Sequence, residues 1–215
     1  MKFDIITIFP NVIQEYIDTG ILRIAQEKEL VDIQVHDLRK WTEDKHRKVD
    51  DTPYGGGPGM VMKIEPIYRA VQELETENSV VCITTPKGKK LTQEQMEDFS
   101  QKEDAHYIII CGRYEGVDQR VHEELVDIEF SIGGYILSGG ELAALVFIDS
   151  VTRLLPGALG NIQSLEKESF TEGNKLDYPQ YTKPEKFKNW KVPDVLLSGN
   201  HKKIEEWREK HSDIL

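Results

Sequence analysis

Five short β-rich apolar runs alternate with stretches of helical periodicity along the first two thirds of the chain. This alternation restricts the fold more than any other feature. The runs are FDIITIF (3–9), VDIQVHD (31–37), SVVCITT (79–85), HYIIICG (106–112) and DIEFSI (127–132). Between them lie ILRIAQEKE, IEPIYRAVQELE, LTQEQMEDFSQ and VDQRVHEEL. Short runs rich in β-branched residues read as strands, and apolar residues at three- and four-residue spacing read as helices. A strand that returns to its sheet through a helix runs parallel to its predecessor. The prediction is an α/β fold, a mostly parallel sheet with helices on both faces.

After Gly140, ELAALVFIDSVTRLL reads as a strongly apolar helix, buried against the sheet or another subunit and stopped by Pro156 and Gly157. From Ala158 the composition turns polar and irregular for longer than a simple connection needs. Helical periodicity restarts in VPDVLLSGNHKKIEEWREKH, with Ser198 or Asn200 as the N-cap. These shifts divide the chain into a body (1–157), an interdomain linker (158–182) and a small helical C-terminal domain (183–215).

The net charge of −11 argues by itself against a polyanionic partner, but its distribution does not. Residues 175–203 carry seven lysines against three acidic residues, while residues 1–174 carry 18 basic against 31 acidic ones. An acidic body with a basic tail is a pattern that accompanies nucleic-acid contact, or simply a solvated lysine face. Cys82 and Cys111 each sit inside an apolar run and read as buried thiols. The start MKFDIITIFP, with Lys2 as its one basic residue, lacks the strongly basic start and long apolar stretch of a signal peptide, and nothing approaches a membrane span. A soluble cytoplasmic protein is expected, with no membrane partner.

Three predicted strands run into glycine-bearing loops, TTPKG (84–88), CGRYEG (111–116) and IGGYILSGG (132–140). In open parallel sheets, ligands collect beyond the carboxyl ends of the strands. Loops lined up there would let backbone groups crowd one flat ligand, because glycine permits close approach. GGGPG (55–59) lacks the Lys-Ser/Thr of a P-loop, and no GxGxxG opens a helix after the first strand. HEEL (122–125) is not HExxH, and no Cys/His set has ligand spacing, so no metal site is expected.

Five ordered motifs, VDDTPYGGGPGMVM, CGRYEGVDQRV, SIGGYILSGGELAAL, IDSVTRLLPGALG and VLLSGNH, closely resemble the bacterial tRNA (guanine-N1)-methyltransferases of the SPOUT class. The likeness spans nearly the whole chain. It implies a deep trefoil knot in the parallel sheet, an exception to the unknotted-chain rule. It also implies a homodimer with a shared active site, and methyl transfer from S-adenosylmethionine to N1 of guanosine 37 in tRNA. Matched by motif, the cofactor contacts are Pro86, Gly112, Tyr114, Glu115, Ile132, Gly133, Gly134, Tyr135, Ile136, Leu137, Gly139 and Gly140.

The same resemblance implies Glu168 as the general base for the N1 proton and Arg153 as the cation that stabilises charge on O6. Asp177, Lys183, Asn200, His201 and Lys202 fall at positions implied to bind the tRNA. Three departures from the family pattern stand out: Glu168 where Asp is usual, Gly134 in the GDYVL-like segment, and Ala143 in place of the proline of GELPA. Two alternatives remain open, a non-catalytic RNA-binding relative and a SPOUT methyltransferase acting on another RNA base.

Overall fold

All five predicted runs become strands of one sheet in the computed structural model, which describes residues 1–102, 104–160, 168–170, 173 and 175–212. They are β1 (Lys2–Thr7), β2 (Asp32–Asp37), β5 (Ser79–Lys90), β6 (His106–Cys111) and β7 (Ile128–Ser131). Every pairing between them is parallel, and their order across the sheet is β2-β1-β6-β5-β7. The numbering gap is filled by β3 (Asp50–Asp51) and β4 (Val61–Met62), a short antiparallel pair.

Alternation along each strand builds two core layers. Phe3, Ile5, Cys82, Tyr107 and Ile109 face α1 (Pro10–Ile17), α2 (Gly20–Glu27), α4 (Gln93–Ser100) and α6 (Glu141–Thr152). Ile6, Val81, Ile83, Ile108 and Ile110 face α3 (Ile64–Leu74), α5 (Gln119–Glu124) and the 3-10 turn Leu38–Trp41. Central β6 is buried along its whole length, as its unbroken apolar run requires. α1 was not legible as a helix, although it carries Pro at its start and buries Ile13 and Ile17 four residues apart.

Two element ends differ from expectation, and both shape the site. β5 continues to Lys90, with its pairing to β7 shifting register between Thr84 and Lys89, so residues 85–88 bulge from an otherwise continuous strand. Gly88 permits this, since a Cβ there would lie 2.5–2.6 Å from the Phe130 backbone. α6 stops at Thr152, short of the predicted Leu155. Leu154 and Leu155 donate instead to Val151 and Thr152 at 3.1 Å, a tightened final turn.

The chain divides into two units, Met1–Gly160 and Asn161–Leu215. The second contains the antiparallel hairpin β8 (Lys186–Phe187) and β9 (Trp190–Lys191), then α7 (Asp194–Leu197) and α8 (His201–His211). The hairpin was not foreseen, because two-residue strands are too short to show a period. Within the proposed linker, residues 161–167, 171, 172 and 174 lie outside the described residues, as do 213–215 at the end of the C-terminal domain. No described helix is long and apolar enough to cross a membrane.

Candidate active site

β6, β5 and β7 are neighbours, so the 85–88 bulge of β5 meets the segments that leave the carboxyl ends of β6 and β7. Residues 85–88, 112–116 and 132–140 enclose a cavity of about 430 Å³. That lies within the range of roughly 300–1,000 Å³ typical of small-molecule sites. Pro86, Gly112, Tyr114, Glu115, Ile132, Gly133, Tyr135, Ile136, Leu137, Gly139 and Gly140 all line it. Gly134 is the exception: it is exposed and outside the lining.

Two glycines show why side chains are excluded. Gly140 donates its N–H to the Gly112 carbonyl at 2.9 Å. A Cβ on Gly140 would run into Thr84 Oγ1 and lie 3.0 Å from Cys111 Cα and Gly112 N. A Cβ on Gly139 would occupy the space of the Arg113 side chain. The two glycines therefore let the 132–140 segment press against the loop that follows β6.

A buried ion pair fixes that contact. Glu141 opens α6, is 1% exposed, and accepts from Arg113 Nε at 3.1 and 2.9 Å and from Nη2 at 2.9 Å. Thr7 at the end of β1 donates to the same carboxylate at 2.7 Å. Arg113 Nη1 donates to the Ser138 carbonyl at 3.0 Å, and its guanidinium lies 4.5 Å from the Phe9 ring centre. A carboxylate at a helix N-terminus suits the positive end of the helix dipole. Sequence reading missed this clamp; an acidic residue directly after a glycine pair, opening an apolar helix, was the available signal.

The YGGGPGM motif also finds its place. Met62 donates to the Gly116 carbonyl at 2.9 Å, while Glu115 and Asp118 donate to the Met60 and Met62 carbonyls at 3.0 Å. Gly59 lies directly against the Glu115 side chain. The segment braces the 112–116 loop, which includes Tyr114 in the left-handed region at φ 59°. Burial, with the Asp50 carboxylate next, raises the Tyr114 phenol above its usual range. Burial also pushes Cys82 up to about 12 and Cys111 well above the ordinary thiol range, so neither offers a thiolate nucleophile.

This geometry suits a flat ligand read largely by main-chain groups. Residues 1–214 match the family model described as tRNA (Guanine-1)-methyltransferase TrmD. The chain belongs to this family. It is 53% identical over 212 residues to the tRNA (guanine-N(1)-)-methyltransferase of Dictyoglomus turgidum, covering 99% of this chain and 85% of that one. The Brevibacillus brevis protein of the same name is 53% identical over 213 residues, covering 99% and 86%. That from Carboxydothermus hydrogenoformans is 50% identical over 212 residues, covering 99% and 83%.

The remaining positions matched to the methyltransferase family are distributed over both units. Arg153 is the C-cap of α6 in the first unit, where a cation complements the helix dipole. Glu168 is half-buried in the second unit, beside Ser169, whose Oγ accepts from the Asp177 N–H at 2.9 Å. The Asp177 carboxylate accepts from Tyr178 N–H at 2.7 Å and from Gln180 Nε2 at 3.1 Å. Asn200, and not Ser198, caps α8, its Oδ1 accepting from Lys203 N–H at 3.2 Å. Lys183, His201 and Lys202 are exposed.

Proposed function

We propose that this chain transfers a methyl group from S-adenosylmethionine to N1 of guanosine 37 in tRNA, beside the anticodon. The observation that carries the proposal is the glycine-walled cavity at the strand ends of a chain belonging to this family. The cavity suits the cofactor in size, and Gly139 and Gly140 let the 132–140 segment close against Arg113, Thr84 and the 111–112 backbone to form its wall. Main-chain groups of 112–115 and 132–140 would hold the adenine, with Tyr114, Tyr135 and Leu137 against its faces. The passage of Gly140 against Cys111 and Gly112 supports threading of these segments as a deep trefoil knot.

When bound, S-adenosylmethionine supplies a methyl group already activated by its sulfonium. The protein's task is to orient guanine and make N1 nucleophilic. Glu168 accepts the N1 proton as general base. Arg153 stabilises the negative charge that builds on O6 as the proton leaves. The basic stretch 175–203 of the second unit, with seven lysines against three acidic residues, holds the tRNA through Asp177, Lys183, Asn200, His201 and Lys202, and the protein works in the cytoplasm.

Assembly as a homodimer is part of the proposal. On the first unit, Leu142 and Val146 of α6 are 55% and 45% exposed, and Phe9, Val12 and Tyr16 at α1 are half-exposed. Tyr16 Oη donates to Asp149 at 3.4 Å, an exposed contact between α1 and α6. Exposed apolar side chains on two packed helices suit an interaction surface, and in this reading a second copy shares its Glu168 with the cavity.

Nucleoside analysis of tRNA treated with the enzyme and labelled S-adenosylmethionine tests the reaction. Label is expected in 1-methylguanosine. Label in any other nucleoside, or in none, overturns the assignment.

A further inference from the structure

Every residue from 181 to 191 is exposed, and the β8–β9 hairpin at its centre carries two aromatic rings into solvent. Phe187 and Trp190 are cross-strand partners, 54% and 68% exposed, with ring centres 5.9 Å apart. Lys188, at the turn, places its ammonium 5.6 and 5.9 Å from the two ring centres. Lys186 is paired directly with Lys191. Like charges opposite each other destabilise a ladder unless an anion lies between them. Four lysines stand against one glutamate between residues 183 and 191 in a chain whose net charge is −11.

We infer that this hairpin is a stacking platform for an unpaired tRNA nucleotide other than the one that is methylated. The inference rests on the tRNA reading above. Exposed aromatic faces accept any base, and neighbouring cations hold the backbone phosphates, which is how single-stranded nucleic acid is bound without sequence readout. The rings and Lys188 present the base-binding side, while Lys186 and Lys191 project from the opposite face of the ladder, where the two ammonium groups share one polyanion.

The test uses the full chain and intact tRNA, with affinity measured over a series of salt concentrations. Trp190→Ala and Trp190→Leu are expected to weaken binding by on the order of tenfold at every salt concentration, while Trp190→Phe stays within about threefold of wild type. The slope of log Kd against log salt stays unchanged in all three, because stacking releases no counterions. Neutralising Lys186 and Lys191 is expected to flatten it by roughly 0.7 per lysine.

Wild-type affinity in Trp190→Ala overturns the platform. So does wild-type affinity in Trp190→Leu, which shows that an apolar contact without a π face suffices. Loss of binding that tracks a fall from dimer to monomer in light scattering assigns the hairpin to contact between copies instead. Wild-type protein that binds no tRNA overturns the tRNA reading itself, whereas variants that bind as wild type overturn the platform alone.

Discussion

Gly140 shows how one missing side chain organises the cavity. Its Cβ position is already occupied by Thr84 Oγ1 and bounded by the Cys111 and Gly112 backbone. Gly140→Val must push the 132–140 segment off the β6 loop, and overpacking of this kind typically costs about 1–3 kcal/mol. Calorimetry on the folded variant is expected to show at least tenfold weaker binding of S-adenosylmethionine, tenfold being about 1.4 kcal/mol. Unchanged affinity would place the cofactor elsewhere. Glu168 differs in kind, since its proposed role rests only on the motif around it. Glu168→Gln keeps the shape and removes the basicity, so single-turnover methylation should fall by at least about 100-fold while tRNA and cofactor still bind. A near wild-type rate would require another base.

Among the elements, α6 illustrates what periodicity reveals and what it hides. Its apolar character all round was plain in ELAALVFIDSVT, and eight of its residues, including Phe147, Ile148 and Val151, are buried. Which residues stay uncovered depends on neighbours, and only the packed structure leaves Leu142 and Val146 exposed. Val146→Glu would place a charge in the proposed subunit interface, where an unpaired ion is costly to desolvate. Light scattering is expected to find the variant monomeric and assays to find it inactive; a fully active dimer would remove this face from the interface. Other elements were opaque for physical reasons. The bulge at 85–88 depends on Gly88 meeting Phe130 across the sheet, a contact no local pattern carries. β3, β4, β8 and β9 have two residues each, below the length at which alternation can be read.

Across the whole molecule, one buried carboxylate ties three strands. Asp4 on β1 is 1% exposed and accepts from His36 Nε2 and His106 Nε2 at 2.6 Å and from Lys2 Nζ at 2.9 Å. Burial alone would raise its pKa, but hydrogen bonds from His36, Lys2 and His106 outweigh that and hold it at about 2, below the reference 3.8. A carboxylate with a depressed folded pKa stabilises the fold above its unfolded value and loses that contribution on acidification. The contribution is about 2 kcal/mol, lost as the pH falls from 3.8 towards about 2. Urea unfolding of wild type and Asp4→Asn should therefore show a stability difference that narrows across this window. A constant difference would mean that Asp4 contributes through shape and not through charge.

The sequence by itself determined the five parallel strands, the helices between them and the glycine loops at the strand ends, because hydrophobic period and backbone freedom are local properties of a chain. It also carried the family, through motifs read in order. Tertiary structure alone decided the strand order β2-β1-β6-β5-β7 and the clamp of Thr7, Arg113 and Glu141, whose members lie up to 134 positions apart. It likewise decided that Gly134 faces away while Gly133 and Tyr135 line the cavity. Such contacts depend on how distant segments pack, and packing between distant segments leaves no period in the chain.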